Sequence, residues 1–280
     1  MNNIVIIGAG KEGKAYLGEV YDAAKWNVTF LDKDSRVIEA LKEKGEYHVT
    51  VLRKDRTEQR IITGYEAYET DDSYSCMARI VDADVIALCL YPEDIEDAIR
   101  YIGPCLRKRE MDNPEQNLLI LSCTNKNHIM EKNEALFLGE LPEEKQKTWY
   151  REQVAFRDVI VRRSGNAPSN YALDLTTKAL QSLLIQGPVN VDLSGVEWMQ
   201  VCDGVEFLKD IKLFVHNCPH AACAYMGYAK GYTTTQDAEC DGEIAALMKG
   251  CLAEASEGIR EEFHPTSEQL EIVGCSMKAK

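Results

Sequence analysis

Near the start of the chain a short apolar run, Ile4-Val5-Ile6-Ile7, leads straight into Gly8-Ala9-Gly10-Lys11-Glu12-Gly13, after which the pattern becomes helical. Few folds are open to such a segment. The first glycine lets a buried strand end in a tight turn, the second lets backbone approach an anion, and the third lets the helix lie close against the strand. The start of that helix offers unpaired N–H groups and a positive dipole end, which suit a pyrophosphate. Asp32 closes the next strand, nineteen residues after Gly13. A carboxylate there hydrogen-bonds the ribose hydroxyls of an adenosine and repels a 2′-phosphate, so it favours NAD over NADP. Gly8, Ala9, Gly10, Gly13 and Asp32 form the candidate cofactor-binding set, with Lys11 and Lys14 read as solvated helix residues.

The first half of the chain alternates strand and helix patterns, as a parallel sheet with covering helices does. Strands are expected at 4–7, 28–32, 85–90, 118–122 and 155–161, with helices at 11–24, 35–44, 76–83 and 93–102 and a polar helix opening near Leu141-Pro142-Glu143-Glu144. Segments 47–52 and 59–65 read as a hairpin elaborating the fold. After the turn-rich stretch Gln186-Gly187-Pro188-Val189-Asn190 the apolar residues recur at three- and four-residue intervals, so the rest reads as helical. The expectation is an α/β chain: a Rossmann-type dinucleotide-binding domain over 1–190, followed by a mostly α-helical catalytic domain over 191–280.

Within the helical part, Lys212, Asn217 and His220 carry a second signal. On an α-helix they fall at about 0°, 140° and 80°, so all three look to one side. Leu213 and Phe214 are expected to supply a packed face beside them, and Pro219 to mark a kink or a helix restart. A partly desolvated lysine exchanges protons near neutral pH, and an amide with an imidazole N–H steadies a developing alkoxide. Those are the parts needed to interconvert an alcohol and a ketone. His216 points elsewhere on the same helix.

Composition narrows the partners. A formal charge of −14 over 280 residues argues against non-specific nucleic-acid binding, which needs a basic surface. No stretch reaches the ~18 apolar residues of a membrane span, and the N-terminus lacks the basic region and long apolar core of a signal peptide, so a cytoplasmic protein is expected. Ten cysteines without a CxxC pair read as small buried hydrophobes. His216, Cys218, His220, Cys223 and Cys240 therefore carry no expectation of zinc.

With a dinucleotide fingerprint at one end and Lys-x4-Asn-x2-His at the other, the chain resembles the polyol-specific long-chain dehydrogenases. Gly8 to Gly18 with Val28 to Asp32 is similar to that family's cofactor loop and second strand. Ser122-Cys123-Thr124-Asn125 is similar to its strand-end Cys-x-Asn motif, and Lys212 to His220 to its active-site helix. The resemblance implies metal-independent hydride transfer between NAD(H) and a polyol or ketose, above all between mannitol 1-phosphate and fructose 6-phosphate. It assigns proton transfer to Lys212, an oxyanion hole to Asn125 and Asn217, and orientation of the reacting oxygen to His220. For Asn125 the residues themselves say only that a polar group follows a buried strand.

The chain departs from the family pattern twice. Where the family reads Val-Asp-Arg, this chain reads Val161-Arg162-Arg163, two adjacent arginines suited to a phosphate or carboxylate. The family also continues through a further helical segment, so the helical domain is expected to be a shortened one. An unphosphorylated polyol, a hexuronate, and cofactor binding without turnover stay open as alternatives.

Overall fold

The computed structural model describes residues 2–163 and 165–272. The chain forms two compact units, 1–205 and 206–280. The first contains twelve strands among the described residues: β1 (Asn3–Ile7), β2 (Asn27–Asp32), β3 (Glu46–Leu52), β4 (Thr57–Thr63), β5 (Glu66–Glu69), β6 (Val85–Leu88), β7 (Leu118–Ser122), β8 (Val154–Ile160), β9 (Gly165–Asn166), β10 (Asp174–Lys178), β11 (Leu183–Gln186) and β12 (Met199–Cys202).

Eight of them make one sheet in the order β12-β11-β8-β7-β6-β1-β2-β5. From β5 to β8 every pairing is parallel. That is the 3-2-1-4-5-6 order of a dinucleotide fold, with its switch point between β1 and β6. Apolar residues on successive positions of β1 serve opposite faces: Ile4 and Ile6 join one core cluster, Val5 and Ile7 the other. This is why the strand reads as a continuous apolar run rather than an alternation.

Local signals placed several elements well. The helix Ser35–Lys44 is capped by Asp34, whose side chain accepts from the Arg36 N–H, and ends at Gly45 with φ 67°. The expected hairpin forms as β3 and β4, in antiparallel register. It does not extend the main sheet. β3 instead pairs in parallel with β10, which pairs with β9, giving a second sheet in the order β4-β3-β10-β9. Its apolar face, with Val49, Val51 and Leu175, shares a core cluster with Tyr16 of the helix behind the glycine loop.

Two expectations are corrected here. The helix expected to stop at Ile102 runs from Ile95 to Asp112 through Pro104. Its last turns carry the buried Arg109, whose guanidinium donates to the carbonyls of Val81, Ala83, Gln116 and Asn117, and that anchoring outweighs the hydrogen bond the proline forgoes. The division of the chain also falls after Val205 rather than near residue 190. β11 and β12 flank the turn at Gly187-Pro188 and still belong to the main sheet, and the Asn190 side chain donates to the Gln153 carbonyl at 2.8 Å, so this turn lies inside the first unit.

The second unit is helical, with Cys218–Ala229, Thr235–Glu239 and Gly242–Phe263 as its main members after the entry helix Val205–Lys212. Thr234 and Asp241 cap two of them through side-chain oxygens. Cys223, Ala238 and Ile244 form its small core. Among the described residues no helix is long and apolar enough to cross a membrane.

Candidate active site

The glycine loop has a separate physical reason for each glycine. Gly8 has φ 98°, and a Cβ there would lie 2.2 Å from the Cys89 carbonyl oxygen. A Cβ on Gly13 would lie 2.2 Å from the Gly8 carbonyl oxygen, so only glycine lets the helix come this close. Gly10 differs. The nearest protein atom to its missing Cβ is 3.8 Å away, so the protein itself would tolerate a side chain, and the open space forms a cradle beside the loop. The Ala9 N–H donates to Asp32 Oδ2 at 2.8 Å and the Asp34 N–H to Oδ1 at 2.9 Å. Asp32 thus ties the loop to the end of β2, and each oxygen retains a second lone pair for a ligand hydroxyl. These residues suit a dinucleotide.

Behind the loop the helix opens as a π turn, Gly13–Gly18, before its α-helical part Glu19–Ala23. Lys14 lies on this turn and is fully buried, not solvated as expected. Its ammonium donates to the Asn170 carbonyl. Burial pushes its pKa down to about 8, with the Asp32 carboxylate pulling partly the other way. The sequence offered no sign of this, because the residues covering Lys14 come from the distant second sheet and its loops.

Arg163 is likewise corrected. It is only 1% exposed, its Nη2 meets Glu19 Oε2 at 2.6 Å, and its Nε donates to Thr177 Oγ1 at 2.9 Å. Its guanidinium carbon lies 4.8 Å from the Tyr16 ring centroid. The side chain joins the second sheet to the cofactor helix and is closed to any substrate. Arg162 is half-buried and its Nε donates to the Ser182 carbonyl at 2.8 Å. The two-arginine clamp expected for an anion therefore does not form.

Asn125 is exposed in the loop after β7, at the carboxyl end of the sheet where such folds place ligand contacts. Two residues before it, Cys123 sits beside Cys89, which follows β6. Their hydrogen bond, together with burial, raises the Cys89 thiol well above its usual range.

Lys212, Asn217 and His220 belong to the second unit, and here the local geometry differs from a plain α-helix. Leu213–Asn217 is a π turn, closed by the Cys218 N–H donating to the Leu213 carbonyl five residues back. In such a turn residue i+5 stands over residue i much as i+4 does in an α-helix. The wider turn brings Asn217 closer to the Lys212 side of the helix than the 140° of a regular α-helix. Pro219 occupies the first turn of Cys218–Ala229, the restart the sequence implied. Lys212 is half-buried, Asn217 and His220 are exposed. Leu213 and Phe214 are 45% and 44% exposed, so the packed face expected of them is supplied by Ile211 and Val215 instead.

Strand order, switch point and glycine loop define a Rossmann-type dinucleotide-binding protein. The chain belongs to the mannitol dehydrogenase family of oxidoreductases: the family model "Mannitol dehydrogenase Rossmann domain" matches residues 2–176. Its fold is similar to that of Pseudomonas fluorescens mannitol 2-dehydrogenase, solved as a ternary complex with NAD and D-mannitol. That match has TM-score 0.74 and 16% identity over 98% of this chain and 68% of that one. A D-sorbitol dehydrogenase in substrate-free form is similar at TM-score 0.72 and 16% identity, over 90% of this chain and 64% of that one. A D-mandelate dehydrogenase in complex with NADH follows at TM-score 0.56 and 12% identity, over 97% of this chain and 77% of that one.

Proposed function

We propose that the protein is an NAD-dependent dehydrogenase interconverting a polyol and a ketose, with Lys212 as the proton carrier and the mannitol 1-phosphate and fructose 6-phosphate pair as its substrates. The observation that carries this reading is the π turn Leu213–Asn217, which brings an amine and an amide toward one side of the helix. Bound at the glycine loop and Asp32, NAD(H) would supply the hydride acceptor for oxidation and the hydride donor for reduction. In oxidation the neutral Lys212 amine accepts the hydroxyl proton, and in reduction the ammonium returns it to the ketone oxygen. The Asn217 amide donates to that oxygen as negative charge develops and His220 orients it, and the family resemblance implies an oxyanion role for Asn125 as well.

The burial of Arg163 favours a second reading, an unphosphorylated polyol, because a phosphate would meet one arginine where two were expected. A panel of ketoses offered with NADH, followed by the loss of NADH absorbance, separates the two. Preference for fructose 6-phosphate by tenfold or more in kcat/KM supports the phosphate reading, and preference for free fructose overturns it in favour of the second. No turnover of any ketose or keto-acid leaves a cofactor-binding protein.

Asp32→Ala should weaken NADH binding by roughly tenfold or more, since it removes hydrogen bonds to a charged acceptor. It should also narrow the preference for NADH over NADPH. Fluorescence titration with both cofactors checks this. If both weaken equally and their ratio stays fixed, Asp32 acts as a tie for the Ala9 amide and not as the ribose ligand.

A further inference from the structure

The segment joining β9 to β10, residues 167–173, lies outside the six-strand core, yet the second sheet brings it across the glycine loop. Gly165, just before it, passes so close to the cofactor helix that a Cβ there would lie 2.4 Å from the Lys11 carbonyl oxygen. The segment is then fastened from below, because the buried Lys14 ammonium donates to the Asn170 carbonyl. With its backbone held there, Asn170 turns its side chain over Gly10. Its Oδ1 and Cγ, at 3.8 and 4.0 Å, are the protein atoms nearest the Cβ that Gly10 lacks. That is the open side of the phosphate cradle. Tyr171, the next residue, stacks 5.6 Å from the Arg36 guanidinium, which is paired with Asp34 two residues beyond the ribose carboxylate Asp32. Consecutive residues of the segment therefore lie beside Gly10 of the loop and beside Arg36, in the helix that follows the Asp32 strand end.

We propose that Asn170 is a further cofactor-binding residue, its side-chain amide donating to the dinucleotide pyrophosphate from the side opposite the helix N-terminus, and that Lys14 is the positioning residue that holds it there. This rests on the cofactor reading above. The atom now facing Gly10 is the acceptor Oδ1, and a half-turn of the amide about its Cβ–Cγ bond brings Nδ2 there instead, an uncharged donor that adds to the loop's own N–H groups for the phosphate oxygens. Asn170 is itself exposed, so its substitution does not open the core.

NADH fluorescence titration of the intact protein tests this. Asn170→Ala should raise the Kd about tenfold, as expected for a lost hydrogen bond to a charged group. Asn170→Asp should raise it roughly tenfold further at low salt, with the extra loss shrinking as salt is added, because a carboxylate beside a pyrophosphate is repelled and the repulsion is screened. Lys14→Met should weaken binding as well, and adding Asn170→Ala to it should cost little more, a coupling that general damage to the fold would not produce. An Asn170→Ala protein that binds as tightly as the unaltered one, or an Asn170→Asp protein no weaker than Asn170→Ala, overturns the proposal while leaving the cofactor reading intact. Failure of the unaltered protein to bind NADH overturns both.

Discussion

Replacing Lys212 with alanine is expected to lower kcat for polyol oxidation by about a thousandfold, within the range that general acid–base groups supply, while the NADH Kd stays within about twofold. On the proposed mechanism the substitution removes the group that takes the hydroxyl proton, and Lys212 lies in the helical unit, apart in sequence from the glycine loop and Asp32 that carry the cofactor reading. Lys212 is also half-buried on a helix that keeps its packing through Ile211 and Val215, so alanine there leaves the fold standing. Stopped-flow single turnovers with NADH and the preferred ketose separate the chemical step from product release. Retention of more than a tenth of the wild-type rate would remove Lys212 from the mechanism. Asn217→Ala should behave as a weaker version of the same change, with a loss on the order of a hundredfold, because on the proposed mechanism it removes one oxyanion donor and leaves proton transfer in place.

Arg163→Met is expected to cost about 3–5 kcal/mol of stability. The pair it breaks is enclosed: Glu19 is 3% exposed and Arg163 1%, and the methionine would leave the buried carboxylate with Arg60, whose Nε stands 3.9 Å away, as its cation among the described residues. A fall in Tm on the order of 10 °C should accompany it in a chain of this size. The companion change Glu19→Gln, made in the same protein, should restore a large part of the loss, since an amide in that position no longer carries an uncompensated charge. Calorimetry or urea unfolding of the two variants measures both effects. An Arg163→Met protein with wild-type stability and a raised KM for an anionic substrate would instead return Arg163 to the substrate site.

The contrast between Arg163 and the glycine loop explains how much was legible in advance. The strand, loop and first helix are encoded by neighbours in the chain: a run of four apolar residues, glycines where Cys89 and Gly8 backbone oxygens exclude a Cβ, and Asp32 at the next strand end. The helix Ser35–Lys44 was equally plain, since Asp34 and Gly45 cap it at both ends. The end of the helix at Ile95–Asp112 was not, because Pro104 is a local stop signal and the carbonyls that hold Arg109 come from other segments. The π turn at Leu213–Asn217 was hidden for a related reason. Spacing alone assumes a regular helix, and one shifted hydrogen bond brings Asn217 closer to the Lys212 side of it.

What the amino-acid sequence determined by itself is the dinucleotide fold; it also offered Gly8, Gly10, Gly13, Asp32, Lys212, Asn217 and His220 as candidates for the chemistry, with Asn125 added by the family resemblance. Periodicity, capping and glycine requirements act over a few residues and can be read in order. Only the tertiary structure decided which charged groups stay in water. Lys14 and Arg163 are buried because β3 and β10, far apart in the chain, pair in parallel and lay a second sheet over the cofactor helix. Long-range pairing of that kind leaves no local periodic mark, so two basic residues that read as solvent-facing or substrate-facing became part of the core that shapes the cofactor loop.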